Sequence, residues 1–169
     1  MSALDDIRAA VDAARNAIAA AINANDAGLN MAYEKMQQAT ALGLEGVAAT
    51  VQAAHHSLEA VAASLNGGYN ATDSAASTLG TITDQTRRSD ATERLAAIAG
   101  HLDQAGNAVT AANGSAHEAH NYSQQAEIDS LTATFSGVFD GLGGAGQGID
   151  AAKANTEAYR QHVESLGNP

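Results

Sequence analysis

The sequence predicts an all-α protein of long antiparallel helices, arranged as two tandem helical hairpins that form a four-helix bundle or a coiled-coil-like assembly. Two observations support this fold class. Apolar residues recur at heptad spacing along most of the 169 residues, and no segment sustains the period-two alternation of a half-buried strand. The single proline is the last residue, so proline interrupts none of the predicted helices.

The first half of the chain predicts two helices. The first begins at a cap between Ser2 and Asp5, and its apolar stripe shifts after Ile18, as a 3.6-residue helix does against a 3.5-residue repeat. A turn is expected between residues 40 and 45. The second helix carries its heptad across residues 66–68, where Asn-Gly-Gly normally ends a helix, so this segment is expected to be a kink or a rival breakpoint.

The second half predicts the other hairpin. A polar linker at residues 83–90 separates a first hairpin, residues 1–84, from a second, residues 85–169. The third helix is expected to follow a capping box formed by Asp90 and Glu93, and a turn is expected between residues 113 and 127. The fourth helix has the most regular heptad.

Six glycines lie between Gly137 and Gly148 within that heptad. Each glycine in an exposed helix costs roughly 0.5–1 kcal/mol relative to alanine. The segment 141–148 is therefore expected either to bring two helices into close contact through small-x-x-x-small spacing or to be a loop between two shorter helices.

The large apolar residues at heptad positions form the predicted core and association seam. They are Leu44, Val51, Leu58, Leu65, Leu79, Leu95, Leu102, Val109, Ile128, Phe135, Leu142, Ile149 and Val163. Leu, Ile, Val, Met, Phe and Tyr supply 12, 7, 7, 3, 2 and 4 residues, only 35 in all, so an alanine-rich interior buries little area per residue.

This thin interior predicts association into a dimer or larger oligomer, or with another helical protein. Several apolar positions outside the heptads could form a second stripe for that contact. They are Ile22, Leu29, Met36, Leu42 and Phe139.

Composition argues against several classes of partner and location. Eight Lys and Arg against 19 Asp and Glu give a formal charge of −11, which provides no basic surface for nucleic acid. No apolar run is long enough to span a bilayer, and the acidic start lacks the features of a cleavable signal peptide. The protein is therefore expected to be cytoplasmic, or exported without a cleaved leader.

The polar residues give no strong sign of chemistry. His117 and His120 are three residues apart and are expected to face mostly outward, and the adjacent His55 and His56 fit a solvated surface. The chain has no cysteine and no phosphate-binding loop, and the carboxylates fall at positions that a helix exposes. We therefore expect no catalytic residue, no metal site and no cofactor.

Two acidic, alanine-rich hairpins without a leader resemble the small helical-hairpin proteins exported by type VII secretion systems. The Trp-x-Gly turn of that family would fall near Gly43 or Gly46, but this chain has no tryptophan. The family's export signal places an acidic residue four positions after a tyrosine, whereas Glu164 follows Tyr159 by five positions. The resemblance implies that the two hairpins pair within one chain as a four-helix bundle.

Three functional hypotheses follow from the sequence. The first is a non-catalytic helical interaction or structural protein that associates through its alanine-rich heptads. The alternative is a secreted helper or adaptor of the type VII kind. A second alternative is a subunit of a filament or other repeating assembly.

Overall fold

The computed structural model describes residues 2–166 and confirms the predicted all-α four-helix fold. Of residues 2–166, 91% are helical, and none of them forms a strand. The helices are α1 (Ala3–Ala41), α2 (Glu45–Gly80), α3 (Arg88–Gln125) and α4 (Asp129–Ser165).

The four helices form a square in which each packs against two others and diagonal helices do not approach. The most extensive packing joins α2 to α3 and α1 to α4, whereas α1 with α2 and α3 with α4 pack less extensively. Both of the extensive pairs take one helix from each predicted hairpin. The α1–α2 and α3–α4 hairpins are therefore joined by the most extensive packing in the bundle.

The helix starts agree only in part with the predicted caps. At the start of α1, Asp5 N–H donates to the Ser2 hydroxyl at 3.2 Å, and the Asp5 carboxylate accepts from Ser2 N–H at 3.1 Å, which completes a capping box. The Ser2 hydroxyl also donates to the Asp5 carboxylate at 2.8 Å, and this bond, followed by the one from Ser2 N–H, lowers the pKa of Asp5. The predicted box at Asp90 and Glu93 is wrong. The helix α3 already begins at Arg88, after an Arg87 cap that makes no side-chain hydrogen bond.

Both hairpin turns use the same hydrogen-bonded motif. Gly43 and Glu127 take left-handed conformations with φ of 70° and 56°. The next amide reaches back five residues in each turn, from Leu44 to the Ala39 carbonyl at 2.9 Å and from Ile128 to the Ser123 carbonyl at 3.3 Å. This is a Schellman C-cap, in which glycine is favoured because it has no Cβ to clash.

The two glycine-containing segments for which the sequence allowed either a helix or a break, residues 66–68 and 141–148, are both helical. The helix α2 continues through residues 66–68 with neither a loop nor a break, and α4 runs through all the glycines between residues 137 and 148. Side-chain contacts from neighbouring helices therefore outweigh the low helix propensity of glycine at these positions.

The core contains most of the predicted heptad seam. The buried members are Val51, Leu58, Leu65, Leu79, Leu95, Leu102, Val109, Phe135, Leu142, Ile149 and Val163. Two predicted members lie elsewhere. Leu44 and Ile128 are the N-caps of α2 and α4, so their side chains lie at the end of the bundle, with Leu44 49% exposed and Ile128 partly buried.

The buried positions of the first hairpin recur 84 residues later in the second, so that Ile7 corresponds to Ala91 and Val51 to Phe135. Along α1, positions 7, 11, 14, 18, 21, 25, 28 and 32 are buried, and so are positions 91, 95, 98, 102, 105, 109, 112 and 116 along α3. The bundle is therefore a tandem repeat of one hairpin pattern with different side chains.

Candidate interaction surfaces

The helices α1 and α4 approach most closely along a row of alanines facing glycines. The facing pairs are Ala14 with Gly148, Ala17 with Gly144, Ala21 with Gly141 and Ala24 with Gly137. A Cβ placed on Gly141 would lie 2.7 Å from the Ala21 Cβ and 2.8 Å from its backbone nitrogen. A Cβ on Gly148 would likewise lie 2.8 Å from the Ala14 backbone nitrogen. Because real Cβ atoms do not approach so closely, Gly141 and Gly148 are required for the observed distance between the two helices.

The register of this row makes one end of the bundle stepped. We call the end that carries residues 42–44 and 126–128 the turn end. Extending the alanine–glycine register brings the start of α4 at Asp129 level with Tyr33, eight residues before α1 ends at Ala41. At 1.5 Å per residue, α1 therefore extends about 12 Å beyond the start of α4.

The register between α2 and α3 shows that α2, like α1, extends further at the turn end than its neighbour. Gly68 lies against Ala105 and Ala108, which brings the end of α3 at Gln125 level with about residue 50 of α2. The helix α2 begins about five residues further out, a distance of about 7 Å. The α1–α2 turn therefore protrudes beyond the α3–α4 turn.

The opposite end has the reverse step. We call it the terminal end, because it carries Ser2, the connection at residues 81–87 and Leu166. The same registers bring Ala3 level with Tyr159, and α4 continues to Ser165, about 9 Å further. The helix α3 also extends past the end of α2, and the Arg94 guanidinium donates to the Thr81 carbonyl across that offset.

The large apolar side chains that remain exposed lie near these two ends. In residues 2–166 they are Leu42 (74% exposed), Tyr33 (53%) and Leu44 (49%) towards the turn end, and Leu166 (71%) at the terminal end. Leu42 and Leu44 lie on the protruding turn itself, while Tyr33 lies in a groove between α1 and α2. Between the ends, the sides of the bundle expose small and polar residues instead.

The predicted second apolar stripe is not a free surface. Four of its five residues, Ile22, Leu29, Met36 and Phe139, are partly buried and pack against the core of the same chain. Neighbouring helices cover the flanks on which these residues lie. Only Leu42 remains exposed, and it belongs to the turn end rather than to a stripe along a helix.

The basic residues are concentrated towards the terminal end, although the two halves of the bundle have similar net charges. In the segments 26–59 and 109–138, which form the half nearer the turn end, seven carboxylates accompany Lys35 as the one basic residue. The other seven basic residues lie towards the terminal end together with the other 12 carboxylates, so the formal charge is −6 for the half nearer the turn end and −5 for the other half. Arg87 and Arg88 are exposed there and form no ion pair with any residue between 2 and 166. Glu127 and Asp129 are exposed and equally unpaired in that range at the turn end.

Two shallow cavities flank the overhanging part of α4 at the terminal end. One, of about 450 Å³, lies between the start of α1 and the end of α4 and is lined by Ala3, Tyr159 and His162 among others. The other, of about 300 Å³, lies between the α2–α3 connection and α4 and includes Ile82 and Leu166. The step at this end thus offers apolar side chains in concave surroundings.

The predicted outward histidines lie beside the α3–α4 interface. His117 is exposed, and its Nδ1 lies 2.9 Å from the Asn113 carbonyl oxygen. Its ring packs edge-to-face on Phe139 with 4.7 Å between ring centroids, and the half-buried His120 packs similarly on Phe135 at 5.4 Å. These contacts are aromatic packing. Across residues 2–166, no three His, Asp or Glu side chains form a group that could hold a metal ion.

Asn25 is a buried polar residue that the sequence analysis missed. It is fully buried on α1, and its amide donates to the Leu58 carbonyl at 3.1 Å, while its Oδ1 has no hydrogen-bond partner. It lies between two hydrophobic clusters, one containing Ile18 and the other Ala32. The sequence spacing could have predicted this burial, because Asn25 follows Ile18 by seven residues and so continues the same heptad position.

No protein family matches this chain, and neither the curated proteins nor the solved structures include a significant match. The resemblance to type VII hairpin proteins therefore stays a prediction. None of the helices in residues 2–166 combines the length and the apolarity that crossing a bilayer requires.

Proposed function

We propose that the protein is a non-catalytic helical interaction protein that associates through the ends of its bundle, with further copies or with another helical protein. One observation carries this proposal. The large apolar side chains that stay exposed are concentrated towards the two ends, with Leu42 and Leu44 on the protruding turn and Leu166 opposite. Exposed apolar groups that cluster in this way are typical of contact surfaces.

The internal packing agrees with a structural role. The interior consists of two hydrophobic clusters that follow one another along the bundle. Large side chains such as Leu58, Leu102 and Phe135 are almost fully buried. The chain therefore has an interior of its own, and association does not require the bundle to open. This revises the reason for expecting association, which lies in the exposed ends rather than in a thin core.

The test is a mass measurement over a wide range of protein concentration. We expect the mean mass from light scattering to rise with concentration for the unaltered chain, and to stay near that of one chain for a Leu42→Ser, Leu44→Ser variant. Circular dichroism should show the same helicity in both, because neither leucine is buried.

A matched control carries two serines on the side of the bundle, Ala20→Ser and Ala97→Ser, where both positions are exposed. It should associate as the unaltered chain does. Equal association of the turn variant and the unaltered chain would contradict a role for the turn end. A monomer at every concentration, both alone and with helical partners, would overturn the proposal itself.

The repeating assembly is a second candidate, and the stepped ends favour it. The step at one end has the reverse shape of the step at the other, so each copy can bind one neighbour at each end and the assembly can continue without limit. A two-fold dimer instead uses the same surface on both copies and goes no further. The secreted-adaptor alternative remains a prediction from the resemblance to type VII hairpin proteins. A bundle of two paired hairpins is compatible with that resemblance.

A further inference from the structure

We propose that copies of this chain join head to tail, with the turn end of one copy docked on the terminal end of the next by translation along the bundle axis. This inference rests on the proposed function and names its partner, a second copy. Three features carry it, namely the shape of the steps, the position of the apolar side chains and the charges.

The shapes of the two ends are complementary because both arise from one offset. The α1–α2 pair is displaced along the axis relative to the α3–α4 pair, by about 7–12 Å at 1.5 Å per residue. The pair that protrudes at the turn end is therefore recessed at the terminal end. Translating a copy along the axis brings its protruding α1–α2 turn onto the recessed end of the same helix pair in the next copy. We call this overlapping contact between two copies the joint.

The apolar side chains lie where this joint needs them. Leu42 and Leu44 on the protruding turn come to rest on the recessed starts and ends of α1 and α2 in the next copy. Beside that shelf rises the overhanging end of α4, with Tyr159 and Leu166 next to the two shallow cavities. The joint therefore covers Leu42, Leu44 and Leu166 together, each of which one bundle alone leaves at least 49% exposed.

The charges favour the same pairing over two identical ends meeting. Translation brings the recessed turn of one copy, with Glu127 and Asp129, onto the protruding start of α3 in the next, with Arg87 and Arg88. All four side chains are exposed and lack an ion pair within residues 2–166. Two turn ends in contact would instead bring carboxylates together, and like charges across an interface are costly.

Other charges at the terminal end limit this preference. Glu164 already pairs with Arg160 at 2.8 Å, and Asp5 pairs with Arg8 at 3.1 Å. Asp84, Asp90 and Glu93 equal Arg87, Arg88 and Arg94 in number within residues 81–94, so the preference rests on the position of the two exposed arginines, Arg87 and Arg88, and not on a net positive charge.

The joint is small, which sets the conditions of the test. The end of a four-helix bundle covers roughly 500 Å² per partner, less than the ~800 Å² of a standard stable interface. Association should therefore be weak and seen only at high concentration, and it should weaken further as added salt screens the charges.

The experiment uses two full-length double variants that reverse charge. The terminal-end variant carries Arg87→Glu and Arg88→Glu. The turn-end variant carries Glu127→Arg and Asp129→Arg. Each variant alone brings like charges together at every joint, so sedimentation velocity should show monomer at concentrations where the unaltered chain associates. An equimolar mixture restores opposite charges at both kinds of joint. It should give species larger than a dimer.

A control variant, Asp26→Arg, Asp140→Arg, makes the same net charge change as the turn-end variant but on the side of the bundle, where both residues are exposed. It should associate as the unaltered chain does. Circular dichroism verifies that each variant is folded before mixing. Any variant that loses helicity is replaced by its single reversal, Arg87→Glu or Glu127→Arg.

The outcomes separate the joint from the proposed function. If the unaltered chain associates but the mixture of the two variants stays monomeric or stops at a dimer, the head-to-tail joint is overturned and the interaction role stands. If the terminal-end variant alone associates as well as the unaltered chain, the copies meet through another surface. If the unaltered chain never associates with itself, the head-to-tail joint is overturned, whereas the interaction role is overturned only if the chain also stays monomeric with helical partners.

Discussion

The two hairpins share one pattern of buried positions and differ in the sizes of the side chains that fill it. On α4, Gly141 and Gly148 stand where α2 has Ser57 and Ser64, 84 residues earlier. The glycines let α4 approach the alanine row of α1 so closely that a Cβ would meet backbone atoms at 2.8 Å. On the other side, between α2 and α3, Gly68 lies against the facing helix, and a Cβ there would meet the Ala108 Cβ at 3.4 Å.

This difference explains why the repeat is not a simple two-fold arrangement. On α3, Ile98 and His101 stand where α1 has Ala14 and Ala17, so the α2–α3 pair cannot copy the register of the α1–α4 pair. A difference in register between two antiparallel pairs shifts one hairpin along the axis relative to the other. A few small side chains thus determine the shape of both ends.

The largest expected effect tests whether the two halves contribute equally to the core. Leu58 and Leu142 are equivalent positions, exposed by 0% and 3%. Replacing either by alanine should lower the free energy of unfolding by about 2–4 kcal/mol, because a cavity remains in a closely packed interior. Urea denaturation measures this change. Gln161→Ala, at an exposed position, is the control and should change stability by less than about 0.5 kcal/mol.

The comparison of glycines gives the second prediction. Gly141→Ala should destabilise the protein by about 1–3 kcal/mol, because its Cβ would force α1 and α4 apart. Gly143→Ala should stabilise it by about 0.5–1 kcal/mol, because that position faces open space and alanine favours helix. Chemical denaturation of both variants measures the two signs. The same sign for both would show that the alanine–glycine row is not closely packed.

The third prediction exchanges a core residue between the repeats. Asn25 corresponds to Val109 on α3. Asn25→Val should raise the free energy of unfolding by about 1 kcal/mol, because it removes a buried oxygen that lacks a hydrogen-bond partner. Thermal and urea unfolding measure the change. A clear loss of stability would mean that the bond from Asn25 to the Leu58 carbonyl matters more than the unpaired Oδ1.

The smallest expected effect concerns the two turns. Glu127 holds a left-handed conformation where the other turn has Gly43. Glu127→Gly should stabilise the fold by about 0.5–1 kcal/mol, since glycine adopts this conformation without strain. The reverse change, Gly43→Ala, should lower stability by about 1 kcal/mol. Both changes are measurable by differential scanning calorimetry, and equal effects in the same direction would contradict the shared turn geometry.

Local sequence patterns were sufficient to predict the helices and the approximate turns. Heptads such as that of Leu58 and Leu65 depend on residues a few positions apart, and the break between Ala41 and Glu45 is marked by a glycine. Burial along these heptads follows because one face of each helix must turn inwards.

Features that depend on contacts distant in sequence could not be predicted in this way. Whether Gly141 lies in a helix or in a loop depends on Ala21, which is 120 residues away. The same reason explains the wrong second stripe, because Ile22 and Phe139 appear free until neighbouring helices are placed beside them. The offset between hairpins, and with it the stepped ends, also follows only from packing between helices.

The terminal end brings together Ser2, Leu166 and the connection at residues 81–87, the one link between the hairpins. Cutting the chain in this connection would leave two fragments of similar length, and the closest interfaces, α1 with α4 and α2 with α3, would then join separate molecules. The connection buries Ile82 in the core and also raises the effective concentration of one fragment near the other. A circularly permuted chain, with α3 and α4 preceding α1 and α2, would need a new linker only across this same end.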